Sequence, residues 1–261
     1  MAPQKEYQIK ATFLGTGTSQ GVPVVACKCA VCSSDDSKDK RLRSSLLVEI
    51  NGKNLVIDAG TDFRQQMLRE RVMALHAILL THEHVDHIFG LDDIRSYNWI
   101  QKKPMEIYAE ERVHNAIKRI FNYVFADYKY PGIPKMRLRN IDNLYFAIDG
   151  IQITPIRCYH HRLPVLAYRI GNLTYITDSN FIPEEEIDKI YGTEVLIINT
   201  LRKEKHISHF NLEEALNIID KVKPRQAYLT HISHNFGIHA AIQKELPENV
   251  FPAYDGLKIE L

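Results

Sequence analysis

The 261-residue sequence contains no apolar stretch approaching the ~20 residues that a membrane-crossing helix needs. Its first ten residues lack the apolar core of a secretory signal. Cysteine is scarce. There are four, three of them within residues 27–32, which is not the spacing of a secreted disulfide framework. Neither sign of charge is in excess: 33 basic residues face 32 acidic ones. Nothing therefore marks a nucleic-acid-binding or bulk membrane-binding surface. These absences point to a reducing, cytoplasmic setting. The length permits one large domain or two small ones.

Histidine is what the chain has in useful places. Residues 77–80 read as a short buried strand, and residues 88–95 read as a helix. Between them lies Thr81-His82-Glu83-His84-Val85-Asp86-His87. His82 and His84 are two apart, so an extended segment points both the same way. Asp86 and His87 open the helix and can face the same space. Imidazole and carboxylate side chains suit zinc, manganese or iron. The alternative is a polar turn with solvated histidines, which three histidines and an aspartate in six residues disfavour.

Further candidates follow along the chain. A strand over residues 9–14 ends in the glycine-rich turn 15–23. No Gly-Lys-Ser/Thr follows, so this is not a Walker loop; it is a weak phosphate-binding signal or a turn packing near the site. Cys27, Cys29 and Cys32 can wrap one tetrahedral metal, which requires a distant fourth ligand, either Cys158 or His234. Residues 33–43 read as exposed loop. A hairpin about Asn51-Gly52 ends at Asp58, which is placed to hold a ligand histidine in one tautomer or simply to make a turn. Residues 61–70 read as a helix. So do residues 110–125, with His114 on the polar side. The aromatic stretch 123–136 reads as a loop that covers the site, packs as an ordinary connection or forms a dimer contact.

The strand over 151–156 leads to His160 and His161. Neighbours on an extended chain point oppositely, so one should reach a metal; His160 is preferred, with His161 in reserve. A second hairpin, about Gly171-Asn172, delivers Asp178. That residue can bridge two metals or cap a helix over 183–191. His209 sits in a loop just before a helix that starts near Asn211, where Glu214 completes a capping pattern. A last strand, 226–229, feeds Thr230-His231-Ile232-Ser233-His234. His231 and His234 can serve two different sites.

The H-x-H-x-D-H pattern, followed in order by these other pieces, resembles the metallo-β-lactamase superfamily. The resemblance implies an α+β fold, a four-layer αββα sandwich, as one domain over 1–261. It implies two divalent metal ions, zinc or manganese, at one edge. His82, His84 and His160 would hold the first and Asp86, His87 and His231 the second, with Asp178 bridging them and Asp58 behind them. The turn Gly-Thr-Gly-Thr-Ser-x-Gly-x-Pro, the cysteines and Thr-His-Ile-Ser-His together resemble the PhnP-type phosphodiesterase branch, which opens five-membered cyclic ribose phosphates. That branch implies a structural zinc on Cys27, Cys29, Cys32 and His234, with His209 as general acid. His209 and Asp86 are thus the candidate catalytic residues, and a homodimer fits the resemblance. The expected partner is a small phosphodiester, with neither membrane nor nucleic acid.

Rival readings share the metal site. A tRNA 3′-processing nuclease of this superfamily would need a basic RNA-gripping arm, which the sequence does not show. A lactone or thioester hydrolase leaves His209 and the cysteines without a purpose. A purely binding protein leaves Asp86, His87 and Asp178 without one.

Overall fold

The computed structural model describes residues 8–128 and 130–261. Residues 1–7, inside the stretch read for a secretory signal, and Lys129, inside the 123–136 stretch, lie outside the described residues. The first sheet contains β1 (Ile9–Gly15), β2 (Ser45–Ile50), β3 (Lys53–Ile57), β4 (Ala77–Leu79), β5 (Met105–Ala109), β6 (Met136–Asn140) and β14 (Lys258–Glu260). Its order is β14-β1-β2-β3-β4-β5-β6. The second holds β7 (Phe146–Ile148), β8 (Ile151–His160), β9 (Leu163–Ile170), β10 (Leu173–Ile176), β11 (Val195–Asn199), β12 (Gln226–Thr230) and β13 (Val250–Pro252). Its order is the reverse of the chain, β13-β12-β11-β10-β9-β8-β7. Within each sheet four consecutive strands are parallel, β3 to β6 and β10 to β13.

Three apolar clusters define four layers. One lies between the sheets and draws Phe13, Leu55 and Leu79 from the first and Ile153, Tyr168 and Ile197 from the second. The other two lie under the helices on the outer face of each sheet. This is the expected α+β sandwich. The parallel strands β4 and β11 are buried on both faces, which is why Ala77-Ile78-Leu79 and Val195-Leu196-Ile197-Ile198 run apolar without alternating. Leu79 is wholly buried; cutting it to Ala would cost about 2–5 kcal/mol. Asn51 and Gly52 both take positive φ, as a two-residue hairpin with a type I′ turn requires.

Helices α1 (Phe63–Arg69), α2 (Val85–Ile88), α3 (Arg95–Gln101), α4 (Glu111–Ile120) and α5 (Asn122–Phe125) belong to the first half. The second half has α6 (Glu184–Ile187), α7 (Leu212–Val222) and α8 (His239–Glu245). The expected helix over 110–125 breaks at Phe121, which leaves helical geometry. His114, expected on its polar side, is buried. It sits one residue after Val113 and three before Ile117, so the helical period carries it onto the apolar face. The helix expected over 183–191 is only the single turn α6, and Asp178 caps nothing there. The loop 33–43 is not wholly exposed: Asp39 and Arg41 are buried. Arg41 donates to Thr16 Oγ1 at 2.9 Å and lies 3.2 Å from His239 Nδ1. Among the described residues no helix is long and apolar enough to cross a membrane.

Candidate metal centre

Most of the candidate ligands leave the carboxyl ends of parallel strands in both sheets, where a backbone turning away from the sheet opens a crevice; His160 instead ends the antiparallel strand β8. Asp58 follows β3, His82 and His84 follow β4, Asp178 follows β10 and His231 follows β12. Asp58, Asp178 and His231 all adopt positive φ, at 63°, 51° and 55°. Non-glycine residues are uncommon there, and such strain gathers at functional sites. Each turns the chain sharply at a strand end. Gly60 permits the close approach of α2: a Cβ on it would lie 1.8 Å from Asp86 O.

Asp178 is the centre. Its carboxylate groups with His82 and His87, with Asp86 and His231, and with His160 and His209. In each trio the ligand atoms lie within 4.8 Å of one another. This sorts the residues differently from the expected sets. His84, the N-cap residue of α2, belongs to none of these trios; its Nδ1 lies 2.9 Å from His82 Nε2 and its ring centroid 5.2 Å from that of His160. His209 joins His160 and Asp178 instead of standing clear of them. His160 ends β8 and turns its ring inward, whereas His161 lies in the turn beyond the strand, at φ 58°, and is exposed, so the turn rather than strand alternation separates the two.

Buried acceptors fix which ring nitrogens face the site. Asp58 Oδ2 lies 2.7 Å from His87 Nδ1 and also takes the Thr81 hydroxyl at 2.9 Å. Thr81 Oγ1, having given its hydrogen to Asp58, accepts from His82 Nδ1 at 2.9 Å. One carboxylate thus sets two histidines, with Nε2 of each facing inward. His160 Nδ1 donates to Ser208 O at 2.8 Å. His231 differs: its Nδ1 lies 3.2 Å from Asp178 Oδ2 and 3.1 Å from Ser44 Oγ, and Ser44 Oγ donates to Gly17 O at 3.0 Å. The glycine-rich turn therefore packs against the site: Thr16 O accepts from Ile232 N at 2.8 Å.

Charged and ionisable groups crowd together here. His87 Nε2 lies 3.1 Å from Asp86 Oδ2 and 3.2 Å from Asp178 Oδ2, is buried, and makes no hydrogen bond. With Nδ1 committed to Asp58, that nitrogen presents a lone pair to two carboxylates, an arrangement a cation resolves. Burial would raise the Asp178 carboxyl, but His231 and His87 outweigh it and hold it well below the usual carboxylate range. Burial would lower His87, but Asp178, Asp86 and Asp58 lift it well above the ordinary imidazole value. Burial and then His231 push His209 down to about 3.

The cysteine loop forms a second cluster of side chains that could hold a metal ion. Cys27, Cys29 and Cys32 Sγ lie 3.3, 3.4 and 3.6 Å from His234 Nδ1. Zinc bonds of about 2.3 Å to sulfur and 2.0 Å to nitrogen in a tetrahedron place S and N about 3.5 Å apart, so the four side chains fit one zinc. The Cys32 N–H and His234 draw the Cys29 thiol down to about 6. Cys158, the other candidate fourth ligand, is fully buried in the apolar layer beneath the second sheet, where burial pushes its thiol up to about 12.

Sequence reading placed Thr81 in the metal turn without a role and did not single out Ser44 or Arg112 at all. Their hydroxyls and guanidinium announce no chemistry by spacing; only the partners they meet in the fold give them a role.

Comparison with known proteins agrees with this geometry. The model of the Beta-lactamase superfamily domain matches residues 53–232. A protein of Porphyromonas gingivalis named octanoyltransferase is 40% identical over 253 residues, covering 96% of this chain and 51% of that protein. The chain spans about half the length of the curated relatives it matches. The crystal structure of a diphosphatase from the PhnP family superposes with a TM-score of 0.92 at 35% identity, over 98% of each chain. Zinc-bound PqqB from Methylobacterium extorquens shares the fold, with a TM-score of 0.74 at 20% identity over 97% of this chain and 100% of that one. A hydrolase fold with clustered ligands for divalent metal, matched from end to end by a PhnP-family structure, places this chain in the PhnP family of the metallo-β-lactamase superfamily.

Proposed function

We propose that the chain is a metal-dependent phosphodiesterase of small substrates, above all five-membered cyclic ribose phosphates. In this reading it works with two zinc or manganese ions and carries a third, structural zinc. The observation that carries it is the convergence of His82, His87, Asp86, His231, His160 and His209 on the one carboxylate of Asp178. His84 completes the ligand set beside His82 and His160. Divalent ions held there supply hydroxide at neutral pH and offset charge that builds on phosphoryl oxygens.

The chain's own groups do the rest. Asp58, through Thr81 and directly, keeps His82 and His87 oriented. Asp86 shares the buried carboxylate environment of Asp178 and acts with it in holding the reacting group. His209, beside His160 at a ring separation of 4.6 Å, is the proton donor to the departing ribose oxygen. Burial lowers the basicity of its ring, and the charge of a bound phosphate is what favours its protonated form. A relative described as a diphosphatase supports a phosphoryl substrate.

A relative named for octanoyl transfer favours a second reading, hydrolysis of an acyl thioester. Its matched part is half of that protein. Among the described residues no thiol is placed for acyl transfer, since Cys158 is buried in the core and the other cysteines surround His234. The test is turnover of a panel by zinc-loaded and manganese-loaded protein: a ribose 1,2-cyclic phosphate, a 2′,3′-cyclic nucleotide, a bis-aryl phosphate, a dinucleoside diphosphate, a lactone and an octanoyl thioester. Turnover strongest on a cyclic phosphodiester supports the proposal. Turnover of the thioester or lactone alone overturns it in favour of the second reading.

A further inference from the structure

The metal turn and β9 are stitched together step by step. Tyr168 Oη donates to Leu80 O at 2.7 Å. Two residues back along β9, Leu166 N donates to Thr81 O at 3.1 Å. Two residues further back stands Pro164, which has no N–H to give, and the chain has by then turned away to carry His82 and His84. The gap is crossed by Arg112 from α4. Its Nη1 meets the carboxylate of Glu83, the residue between those two histidines, and its Nη2 donates to Pro164 O at 2.5 Å.

Pro164 pairs with Tyr159 across the hairpin, and the next pair is Leu163 with His160. One guanidinium therefore touches both chain segments that present ligands to the same half of the site. It is braced from behind. Glu110 lies 3.6 Å from Arg112 and takes both arms of Arg157, on β8, at 2.9 and 2.5 Å. Arg157 N in turn donates to Glu186 Oε2 at 2.8 Å. The brace thus runs from the helical layer of one sheet to that of the other.

We infer that Arg112 is a positioning residue: by joining Glu83 to Pro164 it sets the separation of His82 and His84 from His160, and with it the affinity of that half of the site for a divalent ion. The inference rests on the metal-dependent reading above. The ring centroids it governs lie 5.9 Å apart for His82 and His160 and 5.2 Å for His84 and His160. Asp86, His87 and His231 receive no hydrogen bond from Arg112; His87, whose ring centroid lies 4.2 Å from that of His82, is held by Asp58 instead, so the effect falls on the side of His82, His84 and His160. Arg112 and Glu83 keep 30% and 22% of their side chains exposed, and an ion pair of that exposure adds little to stability. The task also needs a planar fork. A lysine ammonium is a point charge that cannot reach two acceptors on different segments in fixed geometry.

The experiment compares the full-length chain with Arg112→Met, Arg112→Lys and Glu83→Gln. Each protein is stripped of metal and titrated with zinc against a chromophoric chelator, and the unfolding midpoint of the metal-free form is recorded. Cobalt loading reports coordination geometry by absorption. Arg112→Met should weaken one of the two active-site equivalents by about 10–100-fold, alter the cobalt spectrum and leave the other equivalent and the metal-free midpoint unchanged. Arg112→Lys should fall within about threefold of Arg112→Met, because charge alone does not bridge the two segments. Glu83→Gln, which keeps an acceptor, should weaken the same equivalent by less; it decides the matter if Arg112→Met does not fold. Wild-type affinity in Arg112→Lys, or loss of both equivalents together with a lower midpoint, overturns the inference. If the wild-type chain binds two active-site ions and Arg112→Met binds both as tightly, the inference falls alone. If the wild type binds no zinc beyond the cysteine site, it falls together with the metal-dependent reading.

Discussion

Replacing Asp58 by Asn isolates the tautomer control described above. Asn has the same size and tolerates positive φ, so neither a cavity nor the backbone contributes to the outcome. Its carbonyl can still accept from Thr81 N and Thr81 Oγ1, which lie 2.8 and 3.1 Å from Oδ1. Its amide then faces the N–H of His87 where the carboxylate had accepted at 2.7 Å. Two donors cannot face each other, so the His87 proton moves to Nε2, the nitrogen that looks into the site. Losing one buried charge-assisted hydrogen bond is worth about 1.5–3 kcal/mol. Partners behind a metal ligand set affinity by about 10–100-fold, or roughly 1.4–2.8 kcal/mol. The two magnitudes agree. The expected result in a zinc competition titration is therefore a 10–100-fold weaker equivalent at the His87 side, with the cysteine-bound zinc retained. Unchanged affinity, within about threefold, would refute the assignment. A lower unfolding midpoint with intact affinity would make Asp58 a structural group only.

His209→Ala should lower kcat on a cyclic phosphodiester by about 10²–10⁴ while metal content stays at the wild-type level; undiminished turnover removes the proton-donor role. Cys27→Ala should bind one zinc fewer by elemental analysis and melt at lower temperature, yet keep both active-site equivalents; full zinc content would refute the cysteine–histidine site. The last prediction concerns acid stability. Burial, with Arg41 and Lys38, pushes His239 down to about 4, against the attraction of Asp39 and Asp36. A folded value below the unfolded ~6.5 means that the unfolded chain binds the extra proton in between. The His239 contribution is therefore complete above about pH 6.5 and lost as pH falls toward 4. Asp255, which burial pushes up to about 6, acts with the opposite sign, gaining stability as pH falls from about 6 toward the ordinary carboxyl value. Comparing wild type with His239→Gln cancels the Asp255 effect. The melting temperature of the variant should fall less steeply between pH 6.5 and 4; parallel curves would exclude His239 as the source.

Much of this was legible in the linear sequence, because the signals are local. An apolar run followed by His-x-His-x-Asp-His needs only the strand period and the chemistry of imidazole and carboxylate to announce a metal turn. Asn51-Gly52 specifies its hairpin by backbone geometry alone, and Asn211 with Glu214 forms the capping box that fixes the start of α7 and the place of His209. The alternation of an extended chain led to a preference for His160 over His161, although it is the turn at His161, not alternation, that separates them in the structure. Local pattern misled where packing decides. His114 went to the apolar face, 183–191 yielded one helical turn, and Asp39 and Arg41 were buried within a polar stretch.

Only the tertiary structure could bring the pieces together. His234 meets Cys27 across 207 positions of sequence, and no spacing rule chooses it over Cys158; what excludes Cys158 is its burial beneath the second sheet. The convergence on Asp178, the entry of His209 into that group and the bridge that Arg112 makes from Glu83 to Pro164 depend on how two sheets face one another. The sequence by itself determined which side chains stand at the strand ends. Which of them share a space, and which nitrogen each histidine turns inward, was decided by contacts between remote segments, whose distances a one-dimensional pattern does not contain.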